Sequence, residues 1–390
     1  MIRSPSNSVL VTLMLAALLT LLAVDVATLQ PNRIVAGEGY SLRAIMGLDG
    51  LLLSLLPFMF ATWLAWFANA RRYVVIVVIL LVYWVSWPWG MSLFAQAMIE
   101  PGQQAARVGI GPGLWVLLFL LLLMVLEVQT RLGMPHLGRW LLWSAILVSV
   151  AVPFWSGVLN DLALVREYQG NADDFAAALQ YHTLLVGAVV VISLTLAVAM
   201  ALAMRSHDGL KRSVFAILSV IQTIPSLALF GLLLAPLAWL SSQFPLLADL
   251  GVQGIGWAPA ALALIGYSLL PMTRNTYVAL DSIDPNVTEA ARGMGMSRWQ
   301  VFFHVRLPLA LPVIVEGIRI TSVQAIGLAA VAALIGAGGL GTFVFQGLGQ
   351  AAMDLVLLGA VPIIVMAVLV DMALSGLAAV CRRGVANAEP

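Results

Sequence analysis

Residues 281–308 read DSIDPNVTEAARGMGMSRWQVFFHVRLP, a polar stretch that lies between two long apolar segments. Asp284 can cap a helix here, because its carboxylate accepts from backbone N–H groups that have no partner in the first turn. Pro285 suits the first helical position, where its missing N–H and fixed φ cost nothing. The stretch therefore begins with a predicted short helix, which Gly293 and Gly295 weaken at its far end.

A second short helix is predicted in the same stretch. Ser297 followed by Gln300 forms a capping box, in which each side chain accepts from the backbone N–H of the other residue. We expect this helix to span residues 298–307 and to end at Pro308. We expect its aromatic side chains to anchor it to the membrane domain, namely Trp299, Phe302 and Phe303. The two helices would form a compact knob, called the 281–308 loop below, whose small Ala and Gly residues suit the docking of another protein.

Outside this loop, ten stretches of the chain are long and apolar enough to cross a membrane. Hydrophobic residues make up 62% of the 390 residues and charged residues 9%, whereas about 25% of a soluble protein is charged. A membrane-spanning helix needs about 20 mostly apolar residues. Such stretches lie near 9–29, 51–68, 73–96, 114–130, 140–158, 182–204, 214–241, 257–279, 310–335 and 355–380. The sequence therefore predicts an all-α polytopic membrane protein with about ten transmembrane helices.

Composition excludes several other classes of protein. The 19 Lys and Arg nearly balance the 18 Asp and Glu, so no excess of positive charge draws the chain to nucleic acid. The single cysteine, Cys381, cannot form an intrachain disulfide, and no Cys and His residues have zinc-ligand spacing. We therefore expect no metal, no cofactor and no nucleic-acid partner. The four histidines are interpreted as solvated: His136, His182, His207 and His304.

The distribution of Lys and Arg predicts how the chain is oriented, because short cytoplasmic loops are enriched in them. Basic residues recur at every second junction, within 71–72, 131–139, 205–212 and 281–308. The segments 242–256 and 336–354 contain none. This pattern predicts that the 281–308 loop and both termini are cytoplasmic.

The 281–308 loop also contains a spaced motif. Glu289-Ala290-Ala291 is followed by three residues, Gly295, nine residues and then Val305-Arg306-Leu307-Pro308. This spacing resembles the cytoplasmic EAA signature of ABC importer permeases, with Val305 where isoleucine is usual. The resemblance implies that the loop docks onto a cytoplasmic ATPase and passes its closure on ATP to the membrane helices. The coupling residues implied are Glu289, Ala290, Ala291, Gly295, Val305, Leu307 and Pro308.

Three further stretches are similar to permeases for glycine betaine, choline and related osmoprotectants. They are 222–229 (QTIPSLAL), 270–277 with 282–285, and the glycine-rich 333–341. This likeness covers about residues 175–385. It implies an importer core of five helices in a bacterial cytoplasmic (inner) membrane, of the binding-protein-dependent type. The implied partners are a dimer of ABC ATPase subunits inside, a substrate-binding protein outside, and a second permease chain that is identical or a shorter sibling.

The chain itself has no ATP-hydrolysing motif. A P-loop needs a lysine after its glycine-rich turn, and Lys211, the only lysine, is not in that setting. We therefore expect a transport subunit rather than an enzyme, with ATP hydrolysis in a separate subunit.

Composition also predicts a division of the chain. We expect an N-terminal membrane extension of five helices at 1–158, an acidic external linker at 159–181 and the permease core at 182–390. Nine of the twelve Trp residues precede residue 160, as in an aromatic belt at the membrane interface. The extension has no motif of its own, so we expect it to act as a scaffold or modulator.

Polar residues at membrane depth must find partners or water, which makes them candidates for the translocation path. These candidates are Gln222, Thr223, Ser226, Thr321, Ser322 and Gln324. Hydrogen bonds between helices explain each of them at least as well. Glu316 and Arg319 are three apart on one helix and favour an internal ion pair, whereas Asp371 is interpreted as lying toward a span end.

The residues bear on three alternatives to an osmoprotectant permease. A permease for another small solute, such as an amino acid or methionine, differs only in substrate. An ion-coupled secondary transporter predicts inverted repeats and membrane-centre carboxylates, and neither is evident. A membrane-embedded hydrolase would need a paired nucleophile and base at span depth, which the sequence lacks.

Overall fold

The computed structural model describes residues 7–386, except residues 34, 36, 68, 101, 104 and 206. The chain divides into two compact units, Met1–Gly170 and Asn171–Pro390. Both units consist mainly of helices.

The first unit is a helical bundle around one apolar core. Its helices are α1 (Ser8–Ala23), α2 (Leu42–Trp66), α3 (Ala70–Met98), α4 (Pro112–Arg131), α5 (His136–Trp155) and α6 (Ala163–Gly170). The core forms where α1 packs against α2 and α4, and it includes the fully buried side chains of Met14, Phe58 and Leu121. Apolar side chains such as Trp155, which is 81% exposed, also cover the surface. A bundle that is apolar on all sides is typical of a membrane domain.

A small sheet joins the ends of these helices. Strand β1 (Ala27–Gln30) pairs antiparallel with β2 (Glu38–Tyr40) and with β3 (Arg107–Ile110). The sequence predicts the end of the first span, 9–29, over most of β1 and loops at β2 and β3. The span prediction is wrong there, because α1 ends at Ala23, and strands of three or four residues carry too short a pattern to detect.

Much of the predicted acidic linker at 159–181 is helical. Within it, α6 packs on β3, and the buried carboxylate of Glu167 lies 2.8 Å from Nη1 of Arg107 and 3.0 Å from Nε of Arg33. Asp173 and Asp174 lie in the first turn of the next helix, where the helix dipole favours acidic side chains. These residues are therefore ordered parts of the two units, because each acidic group has a local electrostatic partner.

The second unit contains the longest helices. They are α7 (Ala172–Met204), α8 (Asp208–Thr223), α9 (Ser226–Gln243), α10 (Pro245–Asp249), α11 (Trp257–Asp281), α12 (Pro285–Gly293), α13 (Arg298–Gln300), α14 (Leu307–Val331), α15 (Gly341–Gly349) and α16 (Met353–Ala386). Helices α7, α11 and α14 pack against one another, and α16 packs along α14. Two apolar clusters mark the contact, one around Leu264 and Ile326 and the other around Leu280 and Ile314.

Eight helices among the described residues are long and apolar enough to cross a membrane, rather than ten. Helix α1 has 16 residues and is shorter than a full span. The predicted span 214–241 is divided into α8 and α9, because Pro225 follows a break at Ile224. Helix α11 is not among the eight. It carries polar residues such as Thr273 and Thr276, which are buried inside the unit and so need not face lipid.

The glycine-rich turn after α14 packs against α7. Gly339 has φ +78°, and a Cβ at this position would lie 3.1 Å from Nδ1 of His182. His182 is 1% exposed, and its Nε2 lies 3.1 Å from the carbonyl oxygen of Ile326. The interpretation of His182 as solvated is therefore wrong. Helix α7 begins at Ala172, well before the predicted span, and this places His182 inside a helix interface.

Candidate functional site

The first helix of the 281–308 loop forms as its sequence predicts. Oδ1 of Asp284 accepts from the backbone N–H of Asn286 at 2.9 Å, and Pro285 occupies the first turn. The hydroxyl of Thr288 donates to the carbonyl of Pro285 at 2.8 Å. Helix α12 then ends at Gly293, which confirms the predicted cap and the weak far end.

The three residues of the EAA triplet do not share one face. Glu289 and Ala290 are exposed, whereas Ala291 is 2% exposed and faces the protein together with Thr288. Residues three apart lie on the same side of a helix, so Thr288 and Ala291 form the buried side of α12. The small side chain of Ala291 thus serves the packing of α12, and Glu289 and Ala290 are the members of the triplet that a partner could reach.

Gly295 holds the turn that follows α12. Its φ is +85°, a conformation that a side chain with Cβ disfavours by roughly 1 kcal/mol or more. The backbone N–H of Gly295 donates to the carbonyl of Arg292 at 2.9 Å, and that of Met296 donates to the carbonyl of Ala291 at 3.2 Å. A Cβ on Gly295 would have no neighbour within 4 Å. Gly295 is therefore required by the backbone, and the space beyond it is open.

The predicted capping box is confirmed, but the predicted end of the second helix is wrong. The backbone N–H of Ser297 donates to Oε1 of Gln300 at 2.8 Å, and that of Gln300 donates to Oγ of Ser297 at 3.3 Å. The chain then continues through a π-helical turn, Val301–Arg306, directly into α14. Pro308 does not end the helix. The π-helical turn widens the backbone just before it, so the proline ring is accommodated at the start of α14.

The aromatic residues of the loop divide into two groups. Phe302 packs into the apolar cluster around Leu280, as predicted for an anchor. Trp299 is 73% exposed and Phe303 is 53% exposed, and their rings stack with centroids 6.0 Å apart. The prediction that Trp299 and Phe303 also anchor the loop is wrong, because the helix is capped at Ser297 and this sets both rings on its outer side.

Four apolar side chains of the loop are exposed. They are Val287, Met294, Trp299 and Phe303, called the outer patch below. The sequence does not predict their exposure, since apolar residues beside membrane spans are ordinarily expected to pack against them. The remaining motif residues are half-buried at Val305 and Leu307 and exposed at Pro308.

The candidate path residues at the α8–α9 break are bonded to α11. The amide of Gln222 donates to the carbonyl of Tyr267 at 2.9 Å, a carbonyl that is free within α11 because Pro271, four residues on, has no N–H. The Tyr267 hydroxyl in turn donates to the carbonyl of Ile224, next to Pro225. The carbonyl of Tyr267, freed by Pro271, and the carbonyl of Ile224, at the break between α8 and α9, are thus each satisfied by the other segment, and Gln222 has an interhelical role.

The other candidate path residues occupy different settings. Thr223 is exposed and donates to the carbonyl of Val220 at 2.7 Å, and Ser226 is half-buried at the start of α9. Thr321 and Ser322 are buried in α14, whereas Gln324 is half-buried there. Among the described residues, no hydrogen bond joins the α8–α9 group to the α14 group.

Near the start of α8, the chain's lysine contacts α11. Nζ of Lys211 lies 4.5 Å from the centre of the Tyr277 ring. The hydrogen bond with Tyr277 raises the pKa of the Lys211 ammonium above its ordinary value. This contact fixes the start of α8 on α11.

Arg319 joins α14 to α16. It contacts the carboxylate of Glu316 on its own helix, as the sequence predicts, and Nη1 lies 3.3 Å from Asp371 and 2.9 Å from the hydroxyl of Ser375. The sequence predicts Asp371 toward a span end. In the structure, Arg319 and Asp371 lie near the middles of α14 and α16, each of which belongs to a helical segment that is long and apolar enough to cross a membrane.

Each half of the chain matches a known protein family. Residues 189–386, about half of the chain, match the family described as the binding-protein-dependent transport system inner membrane component. Residues 6–165 match the N-terminal domain of the ABC transporter permease YehY.

Individual relatives match the second half. The carnitine transport permease protein OpuCB of Listeria monocytogenes is 35% identical over 55% of this chain and 91% of that protein. The osmoprotectant import permease protein OsmW of Salmonella typhimurium is 39% identical over 52% of this chain and 88% of that protein. A solved structure of the inward-facing MetNI methionine ABC transporter is 21% identical over 53% of this chain and 95% of its own, with a TM-score of 0.46. The chain belongs to the family of binding-protein-dependent ABC transporter permeases, and it is a multi-pass membrane protein of that family.

Proposed function

We propose that this chain is the permease subunit of an ATP-driven importer that takes up quaternary-ammonium osmoprotectants such as glycine betaine, choline or carnitine. The observation that carries the proposal is the 281–308 loop. It exposes Glu289, Ala290, Gly295 and the outer patch on a knob that continues without a break into α14. The names of the relatives, which specify carnitine in one case and osmoprotectants in the other, support the substrate class.

The knob suits coupling to an ATPase because its movement would be transmitted directly. Helix α13, the π-helical turn and α14 form one continuous helical segment, Arg298–Ile335. Arg319 then links α14 to α16 through Asp371 and Ser375. A partner that pulls on the outer patch would therefore move two membrane helices together. The expected partner is a dimer of ABC ATPase subunits, with a substrate-binding protein on the opposite side of the membrane.

A second permease chain is expected against α8 and α9. Irregular backbone at membrane depth is tolerated only where protein covers it or where it lines water. The break at Ile224 and Pro225 satisfies one carbonyl through Tyr267, but Thr223 and Pro225 remain exposed. We infer that another permease, identical or a shorter sibling, encloses this face and that Gln222, Thr223 and Ser226 lie beside the path, with Thr321, Ser322 and Gln324 on α14 as further candidates.

The proposed location is a bacterial cytoplasmic membrane with both termini and the 281–308 loop inside. Reporter enzymes that work only outside the cytoplasm should be active when fused near residues 105, 170, 248 or 348. They should be inactive near 72, 135, 208 or 295, because Lys and Arg concentrate at those junctions. The measurement is reporter activity at matched expression. Activity at 295 would place the knob outside and contradict docking onto a cytoplasmic ATPase.

The first unit, Met1–Gly170, is proposed to be a scaffold or modulator of the core. A chain that begins at Asn171, the boundary between the two units, should keep its ATPase partner and some ATP-dependent uptake. It needs an added leader sequence, since its first residue would have to reach the outer side. The measurement is uptake by membrane vesicles, with the full chain as control. A core that assembles with its partners yet transports no osmoprotectant would show that the first unit contributes to the path.

The function is tested by isolating the full chain in a mild detergent and identifying the proteins bound to it. An ABC ATPase should co-purify in stoichiometric amount, and the Gly293→Ala variant should retain it, because Gly293 is exposed with no neighbour within 4 Å of an added Cβ. Recovery of the chain without an ATPase, from membranes that transport osmoprotectants through it, would contradict the proposal.

A further inference from the structure

Three arginines converge at one end of the second unit. Arg205 caps the end of α7, Arg292 lies in the last turn of α12, and Arg306 ends the π-helical turn before α14. Helix α12 packs against the π-helical turn, and Arg205 and Arg292 are close enough to repel Arg306 electrostatically. These three residues are called the arginine cluster below.

Among the described residues, no carboxylate lies within 4.0 Å of a nitrogen of the cluster. In the described part of the protein, carboxylates within 4.0 Å of an arginine pair with Arg33, Arg107, Arg131, Arg166 and Arg319. Arg306 is half-buried, and its Nε is buried without a hydrogen-bond partner. A buried donor without a partner is costly, and three like charges together increase that cost. A bound anion that is not part of this chain would accept from the unpartnered N–H and offset the positive charge.

The electrostatics of helix ends explains the positions of Arg205 and Arg292 but not that of Arg306. Arg205 and Arg292 follow or end helices whose C-terminal carbonyls attract positive charge. Arg306 has no such reason for its position, because the chain continues from it into α14. A guanidinium group presents a fork of N–H donors that matches the oxygens of a phosphate. Three such groups on three different segments favour a phosphate over a single carboxylate.

The position of the cluster points to the source of the phosphate. Arg205 directly follows the 33 residues of α7, a membrane-spanning helix. Basic residues immediately beside the cytoplasmic end of a span are typical of sites for anionic lipid headgroups. We propose that Arg205, Arg292 and Arg306 bind the phosphate of an anionic membrane lipid such as phosphatidylglycerol. The proposal rests on the proposed function only in placing the 281–308 loop at the inner membrane surface.

A bound lipid phosphate would have a mechanical consequence. It would tie α12, through Arg292, to the end of α7 and to the start of α14. The knob would then be held in place by the membrane itself, and its freedom to move would depend on the anionic lipid content.

The test uses the full chain purified in a neutral detergent, without an ATPase or transport substrate. Native mass spectrometry measures lipid retained after addition of phosphatidylglycerol or phosphatidylcholine, and the thermal midpoint is measured with each lipid and with inorganic phosphate. Wild type should retain phosphatidylglycerol selectively, with a raised midpoint. Arg306→Gln should weaken retention about fivefold, as expected for one arginine near an anionic surface. Arg298→Gln, which removes an exposed charge from the same loop, is the matched control and should behave as wild type.

A second variant and further comparisons keep the proposal falsifiable even if Arg306→Gln does not fold. If Arg306→Gln does not fold, Arg292→Gln replaces it, since Arg292 is exposed, and the same loss is expected. Equal retention by wild type and the cluster variants would overturn the site. Equal protection by inorganic phosphate would overturn the assignment to lipid in favour of a free anion. None of these readouts depends on transport, so a failure here leaves the proposed function intact.

Discussion

Replacing Gly295 by tryptophan is expected to lower ATP-dependent uptake at least tenfold while the chain still inserts into the membrane. Gly295 is exposed at the tip of the knob, and an added side chain there meets nothing in this chain. An indole ring would instead project toward whatever docks on the knob and would hold the ATPase away. The measurement is uptake by membrane vesicles together with the amount of ATPase that co-purifies.

The backbone at Gly295 requires a control, because its φ of +85° strains any residue with a Cβ. Asparagine tolerates this conformation better than most residues, so Gly295→Asn should retain most of the uptake. Equal losses in Gly295→Asn and Gly295→Trp would show that the turn itself matters rather than the bulk of the side chain. Normal uptake by Gly295→Trp would contradict docking at this position.

Removing the charge of Arg319 is expected to have the largest effect on folding. Arg319→Gln would leave the carboxylates of Glu316 and Asp371 without their partner near the middles of α14 and α16. A carboxylate at the centre of a span costs on the order of 3 kcal/mol on insertion scales. This is an upper figure for stability, because the Asp371 side chain keeps 46% of its surface exposed. We expect less monodisperse protein in detergent and a lower thermal midpoint.

Further variants distinguish the loss of the ion pairs of Arg319 from a general loss of packing. Arg319→Lys keeps the positive charge and should retain most of the stability. The triple variant Arg319→Gln with Glu316→Gln and Asp371→Asn removes all three charges, so it should recover part of what the single variant loses. Arg298→Gln, outside the network, should have no effect. Equal stability of Arg319→Gln and wild type would contradict a structural role for the network.

Local signals of the sequence predicted the loop well. Asp284, Ser297 and Gln300 act through partners two or three residues away, so their hydrogen bonds follow from the sequence alone. The continuation of the helix past Pro308 did not follow, because it depends on the π-helical turn Val301–Arg306, which no local pattern in the sequence marks. Phe302 and Leu307, within and just after this turn, pack against residues far away in the sequence.

Contacts between residues far apart in the sequence could not be predicted from one sequence. Gln222 was expected at membrane depth, but its bond to the carbonyl of Tyr267 depends on Pro271 in another helix. His182 and Asp371 were misjudged because each has its partner far along the chain, at Ile326 and Arg319. Periodicity locates a helix and its ends, whereas the neighbours of a side chain are set by how helices pack.

We infer that this chain is the permease subunit of an ATP-driven importer for osmoprotectants, and reconstitution decides whether that claim holds. The full chain, its co-purified ATPase and the cognate binding protein would be placed in vesicles, and entry of labelled glycine betaine, choline and carnitine would be measured with and without ATP. We predict accumulation of at least one of the three that requires both ATP and the binding protein. Accumulation that follows an ion gradient and needs no ATPase, or no uptake of any of the three by the fully assembled complex, would contradict the claim.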